Sequence, residues 1–290
     1  MQGLISKATV LIEALPYIQQ FHGAVVVVKT GGSFMEDAGA VRGVLRDLVF
    51  MACAGMKPVL LHGGGKAISA QLKKDGVETR FINGLRYTCD QAIRIVDDVL
   101  HHQINAGLVQ VMREEGGRPC AVSGKSVLRA ERILEKDDHG QDVDLGYVGR
   151  VVNVDTESIH WILNRGETPI ITPLGRDLAG AIYNINADMA ACQVAALLKA
   201  RKLVFLSDVP GILMDPKVPD SLISTIRRGE VEPLIAEGIV AGGMVPKLRS
   251  AAEALDAGCR QVHMVDGRLP HSLLLEMFTT QGIGTQIVAE

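Results

Sequence analysis

Two short apolar runs, each ending in glycines and a cation, restrict this chain more than any other feature. Val25-Val26-Val27-Val28 runs into Lys29-Thr30-Gly31-Gly32-Ser33, and Val59-Leu60-Leu61 runs into His62-Gly63-Gly64-Gly65-Lys66. Unbroken aliphatic runs of this length read as strands buried in a sheet. Between them, residues 36–54 carry a helical apolar pattern that stops at Gly55, an ordinary helix end. Strand, helix, strand, helix implies a parallel sheet. Ligands of open parallel sheets bind beyond the carboxyl ends of the strands, where both glycine turns fall. Glycines at a helix entrance let backbone N–H groups approach an anion closely.

The pattern continues with a long helical stretch over 90–115, closed by Gly116-Gly117, and a short strand at 119–122. Between 128 and 154 the period shifts toward two, with turn chemistry at Asp137-Asp138-His139-Gly140. That reads as an antiparallel hairpin shaping the mouth of a site. A second α/β stretch comes next: strand 168–172, helix 186–200, strand 203–206, helix 245–257 and strand 261–265. A lobe boundary is expected within 164–175. At the start, Leu4, Ala8, Leu11, Leu15 and Ile18 alternate spacings of four and three, one face of an amphipathic helix that Pro16 should kink or restart. Its apolar stripe needs a partner from outside its own segment, either another subunit or the body of the chain.

With 290 residues, 47% of them apolar, and a net charge of -3, the chain can build one large domain or two lobes, and a polyanion-binding surface is not suggested. Five scattered cysteines without a C-x-x-C pair read as reduced core thiols. No apolar run is long enough to span a bilayer, so a cytoplasmic location is expected. Neither glycine turn is a Walker A loop: Gly-Gly-Gly-Lys is followed by Ala67, and Gly124-Lys125-Ser126 has Pro119 where the first glycine belongs,. There is no G-x-G-x-x-G either.

Four further motifs carry polar chemistry. Asn83-Gly84-Leu85-Arg86 puts an arginine on a turn, where its planar fork could grip a carboxylate, the alternative being an exposed surface residue. Asn184-Ile185-Asn186-Ala187-Asp188 opens a helix with Asn186 as its cap and Asp188 in its first turn. Ser207-Asp208-Val209-Pro210-Gly211 comes after an apolar strand and suits either nucleotide recognition or a plain turn. Gly242-Gly243-Met244-Val245-Pro246-Lys247 sets a lysine in the first turn of a helix, against the dipole, so the lysine should face an anion.

In order and over nearly the whole chain, these motifs resemble the amino-acid kinase family, and its acetylglutamate kinases most. The final segments Val262-His263-Met264-Val265-Asp266-Gly267 and Gly282-Ile283-Gly284-Thr285 favour that branch over its relatives. The resemblance implies an α/β fold, an open three-layer αβα sandwich with a mainly parallel sheet, a β-hairpin over the substrate lobe and an extra N-terminal helix. Residues 1–22 would be an oligomerisation helix, 23–170 an acetylglutamate-binding lobe and 171–290 a lobe for ATP with Mg²⁺. Lys29 and Lys247 would stabilise the transferring phosphoryl group, with Asp188 orienting both. Gly64, Gly65, Arg86 and Asn184 would hold N-acetyl-L-glutamate. Gly31, Gly32, Ser207, Asp208 and Gly211 would serve the phosphates and nucleotide. No protein metal cage is expected, Mg²⁺ arriving with ATP.

The implied reaction, phosphorylation of the side-chain carboxylate, is the second step of arginine biosynthesis. The N-terminal helix is similar to that of arginine-inhibited members, in which it links dimers into a hexamer. An arginine effector site is therefore expected near residues 273–284 and Tyr17, and a PII-type regulator is a further possible partner. Thr30, Ser33-Phe34, Lys66 and Cys89 depart from the family's usual residues, and no acid follows Lys125; these differences bear on substrate fit rather than reaction class. Two other readings remain at this point: a related kinase acting on acetylaminoadipate, aspartate, glutamate or carbamate, and a non-catalytic sensor, against which retention of both lysines argues.

Overall fold

The computed structural model of the chain describes residues 2–136, 140–215, 217–279 and 282–290. At its centre lies an eight-stranded sheet in the order Thr225–Arg227, Thr285–Val288, Gln261–Asp266, Lys202–Ser207, Val25–Thr30, Lys57–His62, Thr168–Ile171, Pro119–Val122. Every neighbouring pair is parallel except Gln261–Asp266 with Thr285–Val288. The two runs with glycine turns are adjacent, Thr30 lying opposite His62. On its other side, Val25–Thr30 pairs with Lys202–Ser207, so the chain order reverses beside it. A crevice at the carboxyl edge opens at such a reversal.

Strand alternation sorts the core into two layers. Val27, Val59, Leu61, Leu203 and Phe205 face one side and pack under the helices Ala187–Leu197 and Met244–Asp256. Val26, Val28, Leu60, Val204 and Leu206 face the other, beneath Ala38–Cys53, Ala106–Glu114 and Ser272–Phe278. Helices on both faces make the three-layer αβα sandwich, and the expected amino-acid kinase architecture is present. The sheet itself runs unbroken through both of the expected lobes. The hairpin is also there: Leu128–Lys136 pairs antiparallel with Asp142–Val154, and Leu174–Arg176 and Ile182–Ile185 close a small ring with it. Residues 137–139 of its expected turn lie outside the described residues.

Three local expectations need correction. The first helix does not restart at Pro16 but continues over Gln2–Phe21; a single proline removes one backbone bond without ending a helix whose neighbours still pair. Its stripe is open, Leu11 being 67% and Leu15 43% exposed, while Tyr17 packs edge-on against Phe278 with ring centroids 6.3 Å apart. The cysteines are all free thiols, but only Cys192 and Cys259 are buried; Cys53 is exposed and Cys89 and Cys120 are half-buried. The long helix is not uniform: Asp90–Asp98 and Ala106–Glu114 are joined by a π-helical segment, Val99–Asn105. Among the described residues, no helix is long and apolar enough to cross a membrane.

The false phosphate motif at Gly124-Lys125-Ser126 has a packing explanation. Gly124 opens the short helix Gly124–Val127, its N–H donates to Thr172 Oγ1 at 2.9 Å, and a Cβ there would collide with the carbonyl oxygens of Thr172 and Leu174. Main chain on both sides cannot yield. Gly124→Ala is expected to destabilise the fold by at least the roughly 1–3 kcal/mol typical of overpacking, read as a lowered urea midpoint; an unchanged midpoint would mean that this corner repacks freely.

Candidate active site

Lys29 is the last residue but one of the strand Val25–Thr30 and is 7% exposed. It bends back beneath the following turn, where a side chain at position 31 would fall on its ammonium group, so anything larger than glycine would push the ammonium out of its present place. Its Nζ lies 2.7 Å from Asp188 Oδ1. Asp188 Oδ2 lies 3.4 Å from Lys247 Nζ. Three elements far apart in the chain thus bring two cations to one carboxylate.

Local chemistry sets each group in place. Asp188 sits in the first turn of Ala187–Leu197, where the Asn186 carboxamide accepts the Asp188 and Met189 N–H groups at 2.9 and 3.2 Å, so the capping assigned to Asn186 is observed. Lys247 lies in the first turn of Met244–Asp256 and faces an anion, as its opposition to the helix dipole requires. Its ammonium also stands 5.6 Å from the centre of the Phe205 ring, a favourable cation–π distance. Burial alone would raise the Asp188 carboxyl, but the Lys29 and Lys247 charges outweigh it and hold the group below the usual carboxylate range,. Burial pushes Lys247 down, and the Asp188 charge offsets part of that. Two amino groups share one carboxylate here, an arrangement that attracts phosphate oxygens.

Beyond the triad opens a cleft of about 220 Å³, lined by Gly31, Gly32, Gly63, Gly64 and Gly65 on one side and by Arg86, Asn184 and Asp188 on the other. Arg86 is 6% exposed, on the strand Leu85–Arg86 rather than on an exposed turn. Its Nη2 donates to Gly65 O at 2.9 Å and Ser69 Oγ at 2.8 Å, and its guanidinium stacks 4.6 Å from the centre of the Phe81 ring. The other terminal nitrogen, Nη1, is buried with no hydrogen-bond acceptor. An unsatisfied buried guanidinium nitrogen is costly unless a ligand completes it, and the fork geometry suits a carboxylate. Asn184 Nδ2 donates to Thr88 Oγ1 at 3.2 Å, and Thr88 in turn holds the Arg86 carbonyl at 2.9 Å.

The remaining expected residues sit at the same sheet edge. Ser207 ends Lys202–Ser207, and Asp208 lies close enough to Gly32 that a Cβ there would touch its carboxylate at 3.5 Å. Gly211 has φ +145° and is walled by Thr285 and Leu222. These three stand outside the lining of the 220 Å³ cleft, and the Asp208 charge acts on Lys247. Lys66 is turned elsewhere: its ammonium pairs with Glu36 at 2.6 Å, both side chains exposed. Phe81, Ser69 and Thr88 escaped the sequence reading, since none stands in a glycine turn and their contacts exist only after folding. Among the described residues no cluster of three or more His, Cys, Asp or Glu could hold a metal ion.

A parallel sheet with two glycine turns, a lysine pair bridged by a carboxylate and an unsatisfied arginine in the same cleft defines a small-molecule phosphotransferase. The chain belongs to the amino acid kinase family, whose sequence profile matches residues 24–266. Its similar relatives include proteins named acetylglutamate kinase from Akkermansia muciniphila, 48% identical over 99% of this chain and 97% of the relative, and from Synechococcus elongatus, 44% identical over 99% and 93%. Among solved structures, N-acetylglutamate synthase from Neisseria gonorrhoeae with coenzyme A and N-acetyl-glutamate superposes with a TM-score of 0.84 at 27% identity; the match covers 97% of this chain and 63% of that one. The same synthase with coenzyme A and L-arginine gives 0.80 at 28%, covering 96% and 64%. Carbamate kinase from Giardia shares the fold, with a TM-score of 0.65 at 19% identity, covering 92% and 99%.

Proposed function

We propose that the chain is an ATP-dependent kinase that phosphorylates the side-chain carboxylate of N-acetyl-L-glutamate to N-acetyl-L-glutamyl 5-phosphate in arginine biosynthesis. The observation that carries this is the Lys29–Asp188–Lys247 arrangement beside a cleft that Arg86, with its unsatisfied Nη1, also lines. A dicarboxylate fits between them with one carboxylate on Arg86 and the other toward the lysines. In this reading Gly64, Gly65 and Asn184 complete the acceptor subsite. Gly31, Gly32, Ser207, Asp208 and Gly211 serve the phosphates and nucleotide. The acceptor then lies mainly on residues 23–170, with Asn184 reaching in from the other half, and ATP mainly on residues 171–290, with Gly31 and Gly32 contributing from the first.

The charges dictate the mechanism. A carboxylate with a pKa of about 4.3 is already ionised at neutral pH, so its attack on phosphorus needs no general base. What the chain must supply is alignment and neutralisation of the phosphoryl oxygens. Lys29 and Lys247 do this as point charges, Asp188 keeps both in register, and the N–H groups of the glycine turns donate to the oxygens. Mg²⁺, arriving with ATP, supplies further charge on the phosphates; with Asp188 engaged by two lysines, the donor set suits a nucleotide-borne ion better than a protein cage. The test is ADP release with MgATP across acceptors. Turnover with N-acetyl-L-glutamate and little with glutamate, aspartate or N-acetylaminoadipate is expected; preference for another acceptor would keep the reaction and change the substrate.

The N-terminal helix supports a homo-oligomer, a hexamer built from dimers, with arginine as effector. A second cavity of about 700 Å³ lies between Tyr17 and Gln20 of that helix and Lys202, His263 and Glu276. Glu276 is buried there, accepting from His263 Nδ1 at 2.5 Å and from the Ile283 N–H at 2.8 Å. A carboxylate and a lysine in one cavity suit a ligand bearing both a guanidinium and a carboxylate. Removing residues 1–20 is expected to reduce the assembly to dimers and weaken inhibition by arginine, read by light scattering and the ADP assay; a hexamer that survives truncation would end this role for the helix. A PII-type protein docking on such an assembly, in a cytoplasmic setting, belongs to the same reading.

A further inference from the structure

The inside face of the long helix carries buried positions at Ile93, Val96, Leu100, Asn105, Val109 and Met112. An α-helix repeats its inward face every three or four residues; the interval of five between Leu100 and Asn105 is the mark of the π segment Val99–Asn105. An inserted π turn rotates the remainder of its helix, and such turns cluster at functional sites. Here it brings an asparagine into the core, fully buried, against an equally buried histidine, His62.

The two side chains form one chain of bonds. Asn105 Nδ2 spends one hydrogen on Ile170 O at 2.8 Å and lies 3.2 Å from His62 Nε2. The opposite amide assignment would set two oxygens face to face at Ile170, so the nitrogen is the group that points there. An amide N–H aimed at Nε2 requires that nitrogen to be the bare acceptor, which leaves the imidazole proton on Nδ1. His62 Nδ1 lies 3.0 Å from Gly63 O, and donates to it. Burial, aided by the nearby His101 and Lys29 charges and opposed by the Gly63 bond, holds the imidazole neutral down to about 4.

The consequence reaches the cleft through one peptide plane. In a trans peptide the C=O and N–H point in opposite directions, so tying the Gly63 carbonyl to the imidazole turns the Gly64 N–H the other way. Gly63 is also held by its own N–H, which donates to Thr30 O at 2.7 Å. Gly64 caps the helix Gly65–Lys74, so its N–H has no intrahelical acceptor, and Gly64 lines the cleft beside Lys29.

We propose that His62 is a positioning residue for phosphoryl transfer: in the tautomer selected by Asn105 from the π turn, it pins the Gly63–Gly64 peptide so that the Gly64 N–H donates to the reacting oxygens. This rests on reading the cleft as a phosphoryl-transfer site. His62 and Asn105 touch no substrate; they act through the glycine turn.

The test joins spectroscopy to kinetics on the full-length protein. In ¹⁵N-histidine spectra, with the His62 signal assigned from its loss in His62→Asn, the wild type is expected to be protonated at Nδ1 and bare at Nε2. Asn105→Asp replaces the donor by an acceptor and should put a proton on Nε2. In turnover, His62→Leu removes the tie and should lower kcat roughly 10-fold or more, the scale of a small misplacement of a preorganised donor. The KM for N-acetyl-L-glutamate should change less. His62→Asn, whose amide nitrogen takes the place of Nδ1, should recover most of the loss. A wild-type histidine protonated at Nε2, or equal kcat in the Leu and Asn variants, would overturn the proposal. An Nε2 that stays bare in Asn105→Asp would remove Asn105 from it. If the wild type phosphorylates no acceptor, the kinase reading fails, whereas the tautomer and its response to Asn105→Asp still decide the coupling.

Discussion

Lys247→Ala is expected to lower kcat roughly 10²-fold or more, the scale of deleting one preorganised charge donor, with the fold intact. The choice of residue matters. Asp188 keeps its 2.7 Å pair with Lys29 when Lys247 is lost, so no carboxylate is left buried and unpaired and stability should hold. What disappears is half of the positive charge that meets the phosphoryl oxygens, a contact that gains strength as charge develops in the transition state. The effect should therefore appear in kcat more than in the KM for ATP. Steady-state rates with saturating acetylglutamate and MgATP make the measurement; a kcat within about threefold of wild type would take Lys247 out of the mechanism. Lys29→Arg should also be poorly tolerated, because a planar fork cannot occupy the slot beneath Gly31 that holds a point charge.

The second large effect is expected at Arg86. Arg86→Lys keeps the charge and loses the fork. The arginine now commits Nη2 to Gly65 O and Ser69 Oγ and leaves Nη1 buried without an acceptor, available to a substrate carboxylate in the proposed reading. A lysine ammonium has one centre and cannot reach both sides at once, and it also gives up the stacking on Phe81. A charged hydrogen bond contributes about 1.5–3 kcal/mol, so the KM for N-acetyl-L-glutamate should rise roughly 10- to 150-fold with a smaller change in kcat. A rise in the KM for ATP instead would move Arg86 to the nucleotide side and overturn the division of the chain into acceptor and nucleotide halves.

The class of fold was legible because its signals are local. Aliphatic runs at 25–28 and 59–61, each stopped by glycines, can only be buried strands with turns at one end, and the helix between them forces the two to be parallel. Lys29, the glycine turns, Asn186 as a cap and Lys247 facing an anion are all consequences of strand ends and helix ends, where the unpaired backbone groups are. Where the reading slipped, the deciding quantity was not local. Arg86 reads in sequence as a carboxylate-gripping residue on a turn, with an exposed arginine as the alternative, and only the fold shows it on a strand and buried against Phe81. Cys53 looked like core and is exposed, because a thiol carries no pattern that says which face of its helix turns inward. The long helical stretch reads in sequence without its π turn, which only the burial of Asn105 five residues beyond Leu100 reveals.

By itself, then, the sequence determined the parallel sheet, the edge at which a ligand must bind and the kinds of group waiting there, because periodicity, glycine and helix polarity act over a few residues. Only the tertiary structure decided which groups meet. Asp188 bridges Lys29 and Lys247, Arg86 keeps one nitrogen unsatisfied, and His62 finds Asn105, because strand order and helix packing bring together residues with no local reason to be neighbours. Charge pairing and desolvation depend on that distance and burial, which no stretch of sequence contains.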